Sequence, residues 1–150
     1  MDIVKTRWTT NRQFVGWDSK QHGIVMDTPA EGTGEGTGWR PVELLLLGMA
    51  GCTGVDVVSI LEKKREDVRG IEIEVKGDPY LEGFPHYYQT IEVVYTVTGV
   101  GVKPESVASA IQLSEEKYCS VKGCLGPQCE VTTRFEVIEF EPQIGPRDRD

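Results

Sequence analysis

The stretch "PVELLLLGMAGCTGVDVVSILEKKRED", Pro41–Asp67, decides how this chain folds. It has no turn signal for over twenty residues. Pro41 suits the first position of a helix, and Glu43 places a negative charge in the first turn. From Leu44 to Ile60 the helix is apolar on nearly every side, and "EKKRED" brings it to the surface. A helix that is apolar all round must be buried all round. A chain of 150 residues has trouble enclosing one. The simplest cover is a second copy of the same chain, so a homodimer is expected.

Inside this helix Cys52 stands between Gly51 and Gly54. A lone helical cysteine is ordinarily a small buried hydrophobe. The glycines change that reading. Gly48, Gly51 and Gly54 each cost about 0.8–1.0 kcal/mol relative to alanine in a helix. Such a loss needs a use for the space, either close approach of a neighbouring element or an opening through which a substrate reaches the sulfur. Asp56, four residues after Cys52, lies on the same face. A carboxylate there disfavours a thiolate and argues against fast chemistry.

Outward from the helix the chain reads as short strands. "IVKTRW" and "QFVGW", separated by "TTNR", predict a β-hairpin over residues 3–18, and "GIVMDT" a third strand at 23–28. "PAEGTGEGTG" is rich in glycine and acid, so a flexible loop is expected over 29–40. After the helix, Ile71, Ile73 and Val75 alternate with charged residues, and Ile91, Val93, Tyr95 and Val97 keep the same period of two. Pro104 and Glu105 open a second helix, running to Cys119 with Val107, Ala110, Ile111 and Ser114 as its inner stripe. "SVKGCLGPQ" reads as a break and "CEVTTRFEVIEF" as a last strand. The tail 141–150 is expected to be disordered. The order β-β-β-α-β-β-α-β makes an α+β fold in a single domain over 1–150.

The net charge of −8 argues against a nucleic-acid partner, which needs a basic face. The N-terminus lacks the apolar core of a signal peptide, and no apolar run reads as long enough for a membrane span. The expected compartment is therefore the cytoplasm, where the four cysteines stay reduced rather than form a disulfide framework.

Cys119, at a helix C-terminus, faces the negative end of the dipole and makes a poor first nucleophile. It suits the resolving partner of a more reactive thiol. Cys124 and Cys129 join it in a C-x4-C-x4-C spacing that departs from the usual zinc patterns, and His22 and His86 lie far off. No metal or cofactor is expected.

"RPVELLLLGMAGCTGVDVVSIL" followed by "LSEEKYCSV" resembles the OsmC/Ohr superfamily, in its OsmC-like branch. The resemblance covers roughly residues 3–140. It implies antiparallel sheets wrapped around two central helices in an intertwined homodimer. It also implies reduction of organic hydroperoxides in oxidative or osmotic stress defence. Cys52 would be the peroxidatic cysteine and Cys119 the resolving one, with an external dithiol as reductant. Cys52 is too far from the helix start for the dipole to act, about 16 Å at 1.5 Å per residue. The resemblance implies a cation instead, an arginine from the N-terminal hairpin held by a glutamate ahead of the long helix. Arg12 occupies the matching place, Arg40 competes with it, and Glu43 is the matching carboxylate, one residue later than the family pattern. Phe84, Tyr87 and Tyr88 are candidates to line an apolar substrate entry. The alternative is a non-catalytic or weakly active binding dimer associated with stress, and Asp56 is the residue that favours it.

Overall fold

The computed structural model describes residues 1–79 and 82–141. The tail expected to be disordered lies, beyond its first residue, outside them. The chain divides into two compact units, Met1–Leu47 and Gly48–Asp150.

In the first unit, β1 (Val4–Thr10), β2 (Gln13–Asp18) and β3 (Gly23–Met26) form an antiparallel sheet in that order. The expected hairpin is present, with Val15 paired to Arg7 on one side and Val25 on the other. Its turn places Asn11 at φ 44, a left-handed conformation that asparagine tolerates better than most residues.

The glycine-rich segment after β3 carries an anchor that composition concealed. Asp27 is 2% exposed, and its carboxylate accepts hydrogen bonds from the amides of Thr28, Glu35 and Thr37 and from the Thr37 hydroxyl. The close wrapping requires glycine at position 34, because a Cβ there would stand 2.2 Å from the Thr28 carbonyl oxygen. The Thr37 hydroxyl first, and then the amides, hold the Asp27 carboxyl below its ordinary range. The sign follows: this anchoring is complete above the unfolded value of about 3.9 and is lost as pH falls through the lower folded value. Asp27→Ala is expected to expose residues 28–38 to proteolysis at neutral pH. In the parent chain, amide exchange at Glu35 and Thr37 should stay slow at pH 5 and accelerate only below about pH 4.

α1 (Glu43–Lys63) begins in the first unit and continues into the second. Its start follows the residues closely. The Arg40 carbonyl accepts the Glu43 amide at 2.9 Å, Pro41 occupies the first turn, and the Glu43 side chain reaches back to the Arg40 amide at 3.0 Å. That is the acidic half of a capping box. The helix ends where Arg65 takes φ 60 and the Glu66 amide returns to the Leu61 carbonyl.

The single chain buries one stripe of α1, Met49, Thr53, Val57, Ile60 and Leu61. Leu45, Leu47, Val55 and Val58 are exposed, Val55 at 68%. The all-round burial expected of this helix is therefore not achieved within one chain. A further correction concerns length. α1 is long and apolar enough to cross a membrane by length and composition alone, with a mean hydropathy of 2.0 over its most apolar 18-residue window, of which 22% is buried.

In the second unit, β4 (Asp67–Pro79) pairs antiparallel with β5 (Tyr88–Val100), and β5 pairs with β6 (Glu130–Glu139). Ile91, Val93, Tyr95 and Val97 are all buried, as their alternation predicts. The sheet departs from the antiparallel expectation because β6 runs parallel to β5, with Tyr95 opposite Phe135. The reason is the connection: the helices after β5 form a crossover that returns the chain to the start of its neighbour.

That crossover also differs from the single helix expected up to Cys119. α2 covers Pro104–Leu113, a π-helical turn follows over Ser114–Tyr118, and α3 (Ser120–Cys124) fills what reads in sequence as a break. Val107, Ala110, Ile111 and Ser114 form the buried stripe as expected.

Candidate active site

Cys52 and Cys119 come together in the second unit. Cys119 is buried, Cys52 is partly exposed, and the Cys52 thiol is close enough to act on the ionisation of Cys119. Cys119 Sγ also lies 3.8 Å from Met49 Sδ. Both sulfurs are free thiols. The glycines near Cys52 divide the two uses considered for them. A Cβ at position 54 would stand 2.9 Å from Ile73 Cδ1, so Gly54 lets the sheet approach. Nothing lies within 4 Å of a Cβ at position 51, so no element of the same chain packs closely there.

Cys119 lies at the end of the second helical run, as expected, and is at the same time the residue preceding α3, in extended conformation at φ −68 and ψ 97. Burial pushes its thiol pKa up, the Lys122 amide opposes that, and the adjacent Cys52 thiol adds to the rise. The Val121 amide also lowers it. The net direction is upward and burial is its first cause, so Cys119 is a poor first nucleophile for its burial as well as for its place at a helix end.

Beside the thiols runs a chain of buried hydroxyls that residue patterning missed. Tyr95 Oη is hydrogen-bonded to Thr53 Oγ1, Thr53 Oγ1 lies 3.1 Å from Ser114 Oγ, and Ser114 Oγ donates to Asp56 Oδ2 at 2.9 Å. Each hydroxyl has one proton, and Ser114 spends its own on Asp56. Thr53 must therefore donate to Ser114, and Tyr95 to Thr53. The direction of the chain is set by the carboxylate at its end. Burial, helped by the Glu115 and Asp56 carboxylates and opposed by the hydrogen bond with Thr53, pushes the Tyr95 phenol up to about 12, which keeps it a donor. Thr53 and Ser114 are small polar residues inside apolar stripes. That mismatch with their surroundings was the available signal.

Glu115 was also missed. Its Oε2 pairs with Lys122 Nζ at 3.1 Å, while Oε1 is buried and has no hydrogen-bond partner among the described residues. Cys124 and Cys129 lie at the end of α3 and before β6, and burial pushes the Cys129 thiol up. Among the described residues no group of three or more His, Cys, Asp or Glu side chains could hold a metal.

Arg12 and Glu43 belong to the first unit. Arg12 is exposed in the β1–β2 turn. Glu43 pairs with Arg40, Nε to Oε1 at 2.8 Å, and the Arg40 amide first, then its guanidinium, holds the Glu43 carboxyl below its usual range. Glu43 is thus paired with Arg40, three residues upstream. Phe84 is 90% exposed and stacks on His86, while Tyr88 opens β5 with its ring over Gly77.

With this geometry in view, comparison with known proteins gives a consistent answer. Residues 33–134 match the family described as OsmC-like protein. Protein YhfA of Escherichia coli K12 is 34% identical over 135 residues, covering 90% of this chain and 97% of that protein. A hypothetical protein from Aquifex aeolicus VF5, of known crystal structure, is 33% identical with a TM-score of 0.81, covering 94% of this chain and 98% of that one. The organic hydroperoxide resistance protein OhrB of Bacillus subtilis shares the fold at a TM-score of 0.61 and 18% identity, covering 91% and 98%. The chain belongs to the OsmC-like family.

Proposed function

We propose that this protein is a cysteine-based organic hydroperoxide reductase that acts as a cytoplasmic homodimer in stress defence. The observation that carries the reading is the meeting of Cys52 and Cys119, contributed by α1 and by the turn after α2, as neighbouring free thiols. The likeness to a hydroperoxide resistance protein and the match to the OsmC-like family support it.

The cycle has two steps. The Cys52 thiolate attacks the distal oxygen of the hydroperoxide, the O–O bond breaks, and the alcohol leaves with a proton. Cys52 becomes a sulfenic acid. Cys119 then attacks the Cys52 sulfur, a disulfide forms, and water leaves. An external dithiol restores both thiols. The division of labour follows the environments. Cys52 is partly exposed, whereas Cys119 is buried with a raised pKa and keeps its proton until the sulfenic acid is next to it.

Asp56 is the residue that favours a non-catalytic protein. Its Oδ2 accepts the Ser114 hydroxyl, so part of its charge is spent away from Cys52. Arg12, at the matching sequence position, and Arg40, which carries the Glu43 partner, are the two candidates for the activating cation. No cofactor is needed. The exposed apolar face of α1, with Leu47, Val55 and Val58, supports dimerisation through this helix.

The test is turnover: reduced protein with an organic hydroperoxide and a dithiol should yield alcohol catalytically. Equimolar alcohol with no turnover, or none, would point to the binding dimer instead.

A further inference from the structure

We propose that Ser114 is a positioning residue that holds the Cys119 backbone against the Cys52 helix so that the disulfide can close, an inference that rests on the thiol cycle proposed above. Ser114 is fully buried at the junction where α2 widens into the π-helical turn. Its side chain addresses α1 at two points, Thr53, next to Cys52 in the chain, and Asp56, one turn on. Its carbonyl oxygen accepts the Cys119 amide at 2.8 Å. One residue therefore connects the segment bearing Cys52 to the backbone of Cys119.

The π-helical turn gives this connection its reach. The bond from the Cys119 amide to Ser114 spans five residues rather than four, and such turns recur at functional sites. It ends the helical run at Tyr118 and leaves Cys119 extended, with its sulfur toward Met49 and Cys52. A disulfide tolerates only a narrow range of Cα separations, about 4.4–6.8 Å, so the backbone of the second cysteine must be held closely. Alanine would fill the place of Ser114 in an otherwise apolar stripe beside Val107, Ala110 and Ile111. The hydroxyl is the feature packing does not need, and it is spent wholly on α1.

In the step concerned, the Cys119 sulfur attacks the sulfur of the Cys52 sulfenic acid. The S–S bond forms and the S–O bond breaks. The oxygen leaves as water, taking the proton that Cys119 gives up.

The experiment compares reduced parent chain, Ser114→Ala and Thr53→Val after one equivalent of tert-butyl hydroperoxide. It follows Cys52 sulfenic acid formation and the later loss of the Cys119 thiol separately. Ser114→Ala removes the link from one side and Thr53→Val removes part of it from the other, so a folding failure of one leaves the other to decide. The loss is expected to fall on closure, slowed about tenfold, with Cys52 sulfenic acid accumulating, and a second equivalent of hydroperoxide should carry more of it to sulfinic acid than in the parent. Closure as fast as in the parent, or an equal slowing of both steps, overturns the proposal.

A second oxidant separates this inference from the peroxidase reading. Glutathione disulfide forms a mixed disulfide at Cys52, which Cys119 then displaces. Slow displacement in Ser114→Ala upholds the positioning role even where peroxide gives no sulfenic acid in the parent, a result that would sink the peroxidase alone. Displacement at the parent rate overturns the positioning role.

Discussion

Cys52→Ser is expected to lower organic hydroperoxide reduction on the order of 10³-fold or more, to the rate of an unrelated protein thiol. Serine keeps the size of the side chain and removes the nucleophile, since a hydroxyl is not ionised near neutral pH. The partly exposed position and the similar size of serine mean that little packing is lost. Stability should therefore be close to that of the parent, and the loss is chemical. Cys119→Ser should behave differently. It retains the first step, releases one alcohol per chain and then stalls with Cys52 as sulfenic acid, which excess peroxide carries on to sulfinic acid. Alcohol yield by chromatography and Cys52 oxidation by mass spectrometry check both. Equal residual activity in the two variants would contradict the assigned roles.

Val55→Asp carries the second large effect. Val55 is 68% exposed in the single chain, in the stripe Leu47, Gly51, Val55 and Val58 of a helix whose opposite face is packed. Moving a carboxylate into an apolar interface without a partner costs several kcal/mol. The dimer is expected to weaken about 100-fold or more, since each 1.4 kcal/mol is a factor of ten. Sedimentation velocity across a concentration series reads this directly. A parent chain of monomer mass, or a variant as dimeric as the parent, would remove α1 as the interface. The same stripe explains why α1 meets the length and composition of a membrane span: its exposed side is apolar and one chain does not cover it.

Much of this arrangement is written in local pattern. Pro41 and Glu43 announce the helix start, and the structure confirms the start through the bonds between Arg40 and Glu43. The alternation of Ile91, Val93, Tyr95 and Val97 marks the inner face of β5 because strand side chains repeat every two residues. Pairing direction has no such signature, and the parallel register of β6 emerges only from the crossover. The hydrophobic stripe of α2 predicted Ser114 as a buried position but not its bonds, which depend on Thr53 and Asp56 far away in sequence. The end of the helical run near Cys119 was legible, but nothing in "QLSEEKYC" signals its widening to a π-helical turn and nothing in "SVKGC" a further helix. Asp27 is comparable: an aspartate before a glycine-rich run reads as turn chemistry, while its role comes from amides eight and ten residues on.

The central claim is that Cys52 and Cys119 form one redox pair. Disulfide mapping after one equivalent of organic hydroperoxide tests it most directly. Reduced protein should lose two of its four thiols per chain and yield a crosslinked peptide pair containing Cys52 and Cys119, with Cys124 and Cys129 still alkylatable. A Cys52 that remains a thiol, or a crosslink that joins other cysteines, would contradict the account.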